Sequence, residues 1–100
     1  MTAITDYNAL SDSAHQSKES SNSSIFVNYL KQYSWSTVVE INYMKANVTK
    51  DYPDGYSLHV EFRSYDPSGP FQNLPDINKI TIELWQLDKL VHRDYTEFED

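Results

Sequence analysis

The chain has 100 residues, no cysteine, a net charge of −7 and a mean hydropathy of −0.65. A domain of this length buries roughly 60% or more of the surface its unfolded form exposes, so one core suffices without cross-links. Fifteen acids against eight scattered bases disfavour direct contact with nucleic acid and favour a basic protein partner, although negative charge also serves solubility.

Ile4, Tyr7, Leu10 and Ala14 recur at helical spacing, with Thr5 available as an N-cap. Between Ser11 and Ser24, however, stand seven serines and a single apolar residue, Ala14. Such a stretch buries little apolar surface against its ordering entropy. Residues 1–23 are therefore predicted as a Ser-rich segment, partly mobile or forming a short helix. Ile25, Phe26, Tyr29, Leu30 and Tyr33 then line one helical face, started by Asn22, Ser23 or Ser24, with Asn28, Lys31 and Gln32 outward. A stripe of this kind is a core face rather than a cofactor site.

From Trp35 the period changes to two. Trp35, Thr37, Val39, Ile41 and Tyr43 alternate with polar residues, which marks a half-buried strand. After Tyr43 the apolar set slips to Met44, Ala46 and Val48, which predicts a β-bulge or bend within that strand. In Asp51-Tyr52-Pro53-Asp54-Gly55, proline presets φ, Asp54 suits the next position and Gly55 tolerates positive φ. Tyr56, Leu58, Val60 and Phe62 alternate cleanly beyond it, so a hairpin joins the two strands. Asp66–Asn78 carries Pro67, Pro70, Pro75 and Gly69 and reads as a long loop, with Phe71, Leu74 and Ile77 to pin it to the core. Ile80, Ile82 and Leu84 form a third strand. Either Asp88-Lys89 turns into a fourth strand near Leu90–Tyr95, or the third strand continues.

The predicted fold is α+β, in two layers: one main helix in the N-terminal half, Ile25–Tyr33, on an antiparallel meander of three to four strands. Residues 24–95 make the single domain and 96–100 an acidic tail. Val38, Met44, Tyr65, Trp85 and Leu87 signal a second apolar sheet face needing cover from the N-terminal segment or another chain.

Signatures of catalysis are sparse. His15, His59 and His92 stand far apart with no metal-ligand spacing, and Gly55 and Gly69 alone make no phosphate loop, so no metal or cofactor is expected. Serines cluster in the segment read as mobile, where a nucleophile is not held against its base. His59-Val60-Glu61 and His92-Arg93-Asp94 match fragments of deaminase and kinase motifs whose remaining parts are missing. Asn47-Val48-Thr49 fits a glycosylation acceptor, but Met1–Asp6 lacks the basic and apolar stretches of an export signal. With no disulfides and no apolar run near the roughly 18 residues of a membrane span, a cytoplasmic protein without membrane contact is expected.

What remains is tyrosine beside carboxylate, a composition typical of contact surfaces. The reading favoured is a non-enzymatic acidic protein-binding module, of inhibitor or immunity type, that occludes a basic nucleic-acid-binding site on a partner. Its candidate contacts are Asp51, Tyr52, Asp54, Asp94, Tyr95, Glu97, Glu99 and Asp100. One alternative is a small homo-oligomeric accessory subunit, a homodimer through the second apolar face. The other is a ligand-binding or catalytic cup containing His59 and Glu61.

Overall fold

A computed structural model describes residues 2–22, 24–42, 45–64 and 77–98. Two helices, α1 (Ala3–Glu19) and α2 (Ser24–Leu30), precede five strands: β1 (Thr37–Asn42), β2 (Lys45–Asp51), β3 (Tyr56–Ser64), β4 (Ile77–Gln86) and β5 (Lys89–Glu97). The strands form one antiparallel meander in the order β1-β2-β3-β4-β5. The α+β class and the two layers match the sequence expectation, with one more strand than its upper figure.

The long helix is α1, not the Ile25–Tyr33 segment. Thr2 rather than Thr5 is its N-cap: the Thr2 hydroxyl accepts from the Thr5 N–H at 3.2 Å. Asp6 in the first turn and Lys18 in the last complement the helix dipole. The helix runs through the serines because Ala3, Asp6, Tyr7, Leu10, Ser13, Ala14 and Ser17 fall on one buried face. The two serines on that face are satisfied internally. Ser13 Oγ donates to the Leu10 carbonyl at 2.8 Å, and Ser17 Oγ accepts the Phe26 N–H at 2.9 Å.

At the C-terminus Ser21 takes φ +51, and the Asn22 and Ser21 N–H groups donate to the Ser17 and Lys18 carbonyls at 2.9 and 3.2 Å. This is the Schellman closure with serine where glycine is usual. Asn22 Oδ1 then accepts the Ser24 N–H at 3.0 Å and starts α2. Helix α2 stops at Leu30, short of Tyr33, and the Trp35 indole N–H donates to the Leu30 carbonyl at 2.9 Å.

Helix α1 lies across β3, β4 and β5 and packs on α2. Leu10, Phe26, Leu30, Leu58, Phe62 and Ile82 are among the side chains sealed between the layers. The opposite sheet face has no helix over it among the described residues.

The slip after Tyr43 marks a chain reversal rather than a bulge in one strand. β1 and β2 pair antiparallel, Thr37 opposite Thr49 and Asn42 opposite Lys45, with the register irregularity between Glu40 and Asn42. Two strands running back to back present the same break in alternation as one bulged strand, and Tyr43 and Met44 themselves lie outside the described residues. The β2–β3 hairpin is as expected, with Asp51 opposite Ser57 across the turn. Of the long predicted loop, residues 65–76 lie outside the described residues, Phe71 and Leu74 with them. Ile77 and Asn78 belong to β4, and Ile77 is buried. The last turn is Leu87–Asp88, one residue earlier than expected, because Gln86 pairs with Lys89. Strand β5 takes in Thr96, which is buried, and Glu97, so the strand reaches into the predicted tail.

Candidate docking surface at the turn end of the sheet

The β2–β3 and β4–β5 turns meet. In the first, the Gly55 N–H donates to the Tyr52 carbonyl at 3.2 Å, the Tyr52 N–H to the Tyr56 carbonyl at 2.9 Å, and Asp54 Oδ1 accepts the Tyr56 N–H at 3.3 Å. Gly55 sits at φ +89, a conformation that disfavours side chains. The Leu87 N–H of the second turn donates to the Gly55 carbonyl at 2.9 Å, which locks the two tips together.

Ile4 of α1, Val91 of β5 and Leu87 of the second turn are large apolar side chains exposed toward this end, Leu87 by 78%. Ile4 and Val91 line a depression of about 390 Å³ together with Thr2, Ala3, Asp54, Tyr56, Leu84 and His92. Asp54 edges it, and Asp88 is exposed on the joined turn with Lys89 beside it. The result is an apolar centre with an anionic rim.

Of the residues singled out from sequence, Asp54 belongs to this surface, while Asp51, opposite Ser57, falls by register on the uncovered sheet face. Tyr52 does not belong to it, because it turns inward. Its hydroxyl donates to Asp6 Oδ2 of α1, and Lys50 Nζ lies 3.7 Å from the same oxygen. The Lys50 ammonium also sits 5.2 Å from the Tyr33 ring centre and 5.1 Å from that of Tyr52. Asp6 is fully buried.

Asp94 is likewise engaged with α1: Ser11 Oγ donates to it at 2.9 Å, and His15 Nε2 lies 3.2 Å away. Beside it the His92 and Tyr7 rings stack at 5.6 Å. Tyr95 and Glu97 lie on the uncovered sheet face toward the far end of β5, bonded to each other. Glu99 and Asp100 lie outside the described residues. The eight sequence candidates are therefore not one patch.

The uncovered face is charge-paired. By register its described side chains include Lys45, Arg63, Lys79 and Arg93 against Asp51, Glu61, Glu83 and Glu97, so it contributes nothing to the net −7. Lys45 pairs with Glu61 at 3.3 Å and Arg93 with Glu83 at 3.5 Å. Exposed pairs of this kind contribute about 0–1 kcal/mol each and keep a sheet face wet.

His59 and Glu61 project onto this face. They line a depression of about 230 Å³ with Asn47, Thr49, Thr81, Glu83 and Arg93. His59 is 3.0 Å from Ser57 Oγ and packs on Trp85 at 5.9 Å. Of the expected second apolar face, Trp85 is half-buried there, Leu87 is in the turn and Val38 is exposed on edge strand β1. Met44 and Tyr65 lie outside the described residues. Among the described residues no helix is long and apolar enough to cross a membrane, and no group of three or more His, Asp or Glu is placed to hold a metal ion.

Three tyrosines against α1 and α2 give the fold an alkaline limit. Burial raises the Tyr52 phenol well above its ordinary value, as do its hydrogen bond to Asp6 and the charge there. Burial and then Asp94 raise Tyr7, while burial, Asp6 and Tyr29 raise Tyr33. The unfolded chain releases these protons near pH ~10 and the folded one holds them to higher pH, so above that point the native state binds more protons. Stability is thus intact below about pH 10 and falls as pH rises further. Urea midpoints measured across that range are expected to drop, and Tyr52→Phe is expected to flatten the drop.

No protein family model matches the chain, and no curated protein or solved structure is similar to it.

Proposed function

We propose that this chain is a non-enzymatic protein-binding module that receives a basic surface of a partner on the turn end of its sheet. An inhibitor or immunity-type protein that covers a nucleic-acid-binding site works in this way. The observation that carries the reading is the depression lined by Ile4, Val91 and Leu84 and edged by Asp54, beside the exposed Leu87 and Asp88 of the adjoining turn. Desolvated apolar centres supply affinity, and rim charges steer the approach of the oppositely charged partner. On the uncovered sheet face the charges are paired with one another.

The test compares immobilised wild type with Asp54→Asn/Asp88→Asn in binding from cell lysate at about 50 mM and about 500 mM salt. Expected is retention of a basic protein by wild type at low salt, lost at high salt and weakened at least about tenfold in the variant. Retention that is equal for both proteins, or indifferent to salt, contradicts the proposal.

A further inference from the structure

Leu87 breaks two rules at once. It is the first residue of a two-residue hairpin loop, between the paired Gln86 and Lys89, and it holds φ +54. Glycine or asparagine is the usual occupant there, because a branched side chain at positive φ crowds its own backbone. Burial does not offset that strain, since Leu87 is 78% exposed, the most of the exposed large apolar side chains. It lies against the neighbouring tip, where a methyl placed on Gly55 would meet Leu87 Cδ2 at 3.4 Å. Strained backbone carrying an apolar side chain into solvent is a recurrent mark of a contact residue.

We infer that Leu87 is the anchor of the docking surface, and that with Ile4 and Val91 it grips apolar side chains of a partner segment that also carries lysine or arginine. The inference rests on the turn-end reading and adds the partner's chemistry. The apolar positions of such a segment fill the depression bounded by Ile4, Val91, Tyr56 and Leu84. Its cations fall against Asp54 and Asp88, which stand on the two tips joined by the Leu87–Gly55 bond. A segment of alternating cationic and apolar residues meets both requirements, and one of acidic and apolar residues meets only the first.

Two measurements on the whole chain test this. The first needs no partner: Leu87→Gly relieves the turn and is expected to raise Tm by about 4 °C, and Leu87→Asn, which also tolerates the left-handed region, to raise it similarly. The second follows backbone amide signals during titration with a short peptide of alternating lysine and leucine. Wild type is expected to show shifts at Ile4, Asp54–Tyr56 and Leu87–His92. Affinity is expected to fall at least about tenfold in Leu87→Gly, and also when serine replaces the peptide's leucines.

A lowered Tm in both variants makes Leu87 a packing residue and overturns the inference, leaving the docking surface standing. So does peptide affinity unchanged by Leu87→Gly. Equal binding of a peptide of alternating glutamate and leucine overturns the basic-partner reading and the cationic part of the inference. No shifts at the turn end with any peptide overturn both.

Discussion

Asp6→Ala is expected to destabilise the protein by about 3 kcal/mol, a drop in Tm of more than about 10 °C. The carboxylate is fully buried and receives the Tyr52 hydroxyl, with Lys50 at 3.7 Å. Removing it leaves the tyrosine hydroxyl without its acceptor and the ammonium without its counter-charge. Lys50 remains 26% exposed and can turn toward water, so the cost falls at the lower end of the range for a broken buried pair. Asp6→Asn, which keeps an acceptor for Tyr52, is expected to cost about half as much. Asp6→Leu/Lys50→Met, which removes both charges, is expected to recover most of the loss. Urea unfolding measures all three, and an Asp6→Ala variant within about 0.5 kcal/mol of wild type contradicts the account of this cluster.

Phe26→Ala is expected to cost about 3–5 kcal/mol, a large part of the stability of a domain this size. Phe26 is fully buried, and its N–H is bound to Ser17 Oγ. Helix α2 has seven residues, too few to persist without tertiary contacts. The ring and the serine bond together hold it on α1, and a cavity there cannot be refilled by a helix that has lost its anchor. Amide hydrogen exchange in α2 is expected to accelerate more than in β3 or β4. Uniform acceleration throughout the chain, or a loss below about 1 kcal/mol, contradicts this role.

The part of the fold legible in sequence is the part whose cause is local. Pro53, Asp54 and Gly55 carry the chemistry of their turn, and the alternation from Tyr56 to Phe62 sets the face of β3. The β1–β2 reversal has no such marker, since Asn42 and Lys45 flank it without glycine or proline. Helical spacing at Ile4, Tyr7, Leu10 and Ala14 showed the start of α1, but its full length was hidden because serine reads as polar until its partner is known. Ser17 is compatible with the buried face through Phe26, nine residues later, and periodicity does not report that bond.

The site divides in the same way. Asp54 is visible as a turn acid. Tyr52 also looks like a surface residue, yet its hydroxyl meets Asp6 across 46 residues of sequence. The role of Leu87 depends on a hairpin register one residue away from the one its neighbours suggest. Charge at the turns was legible; the apolar centre it surrounds required the tertiary fold.

Mapping the interface with the protein retained at low salt, by following backbone amide signals on its addition, tests the docking surface most directly. Loss or shift of signals at Ile4, Asp54–Tyr56 and Leu87–His92, with Asn47, His59 and Thr81 unmoved, is the predicted result. Perturbation centred on Asn47, His59 and Thr81 instead, with the two turn tips silent, would place recognition on the charge-paired sheet face and contradict it.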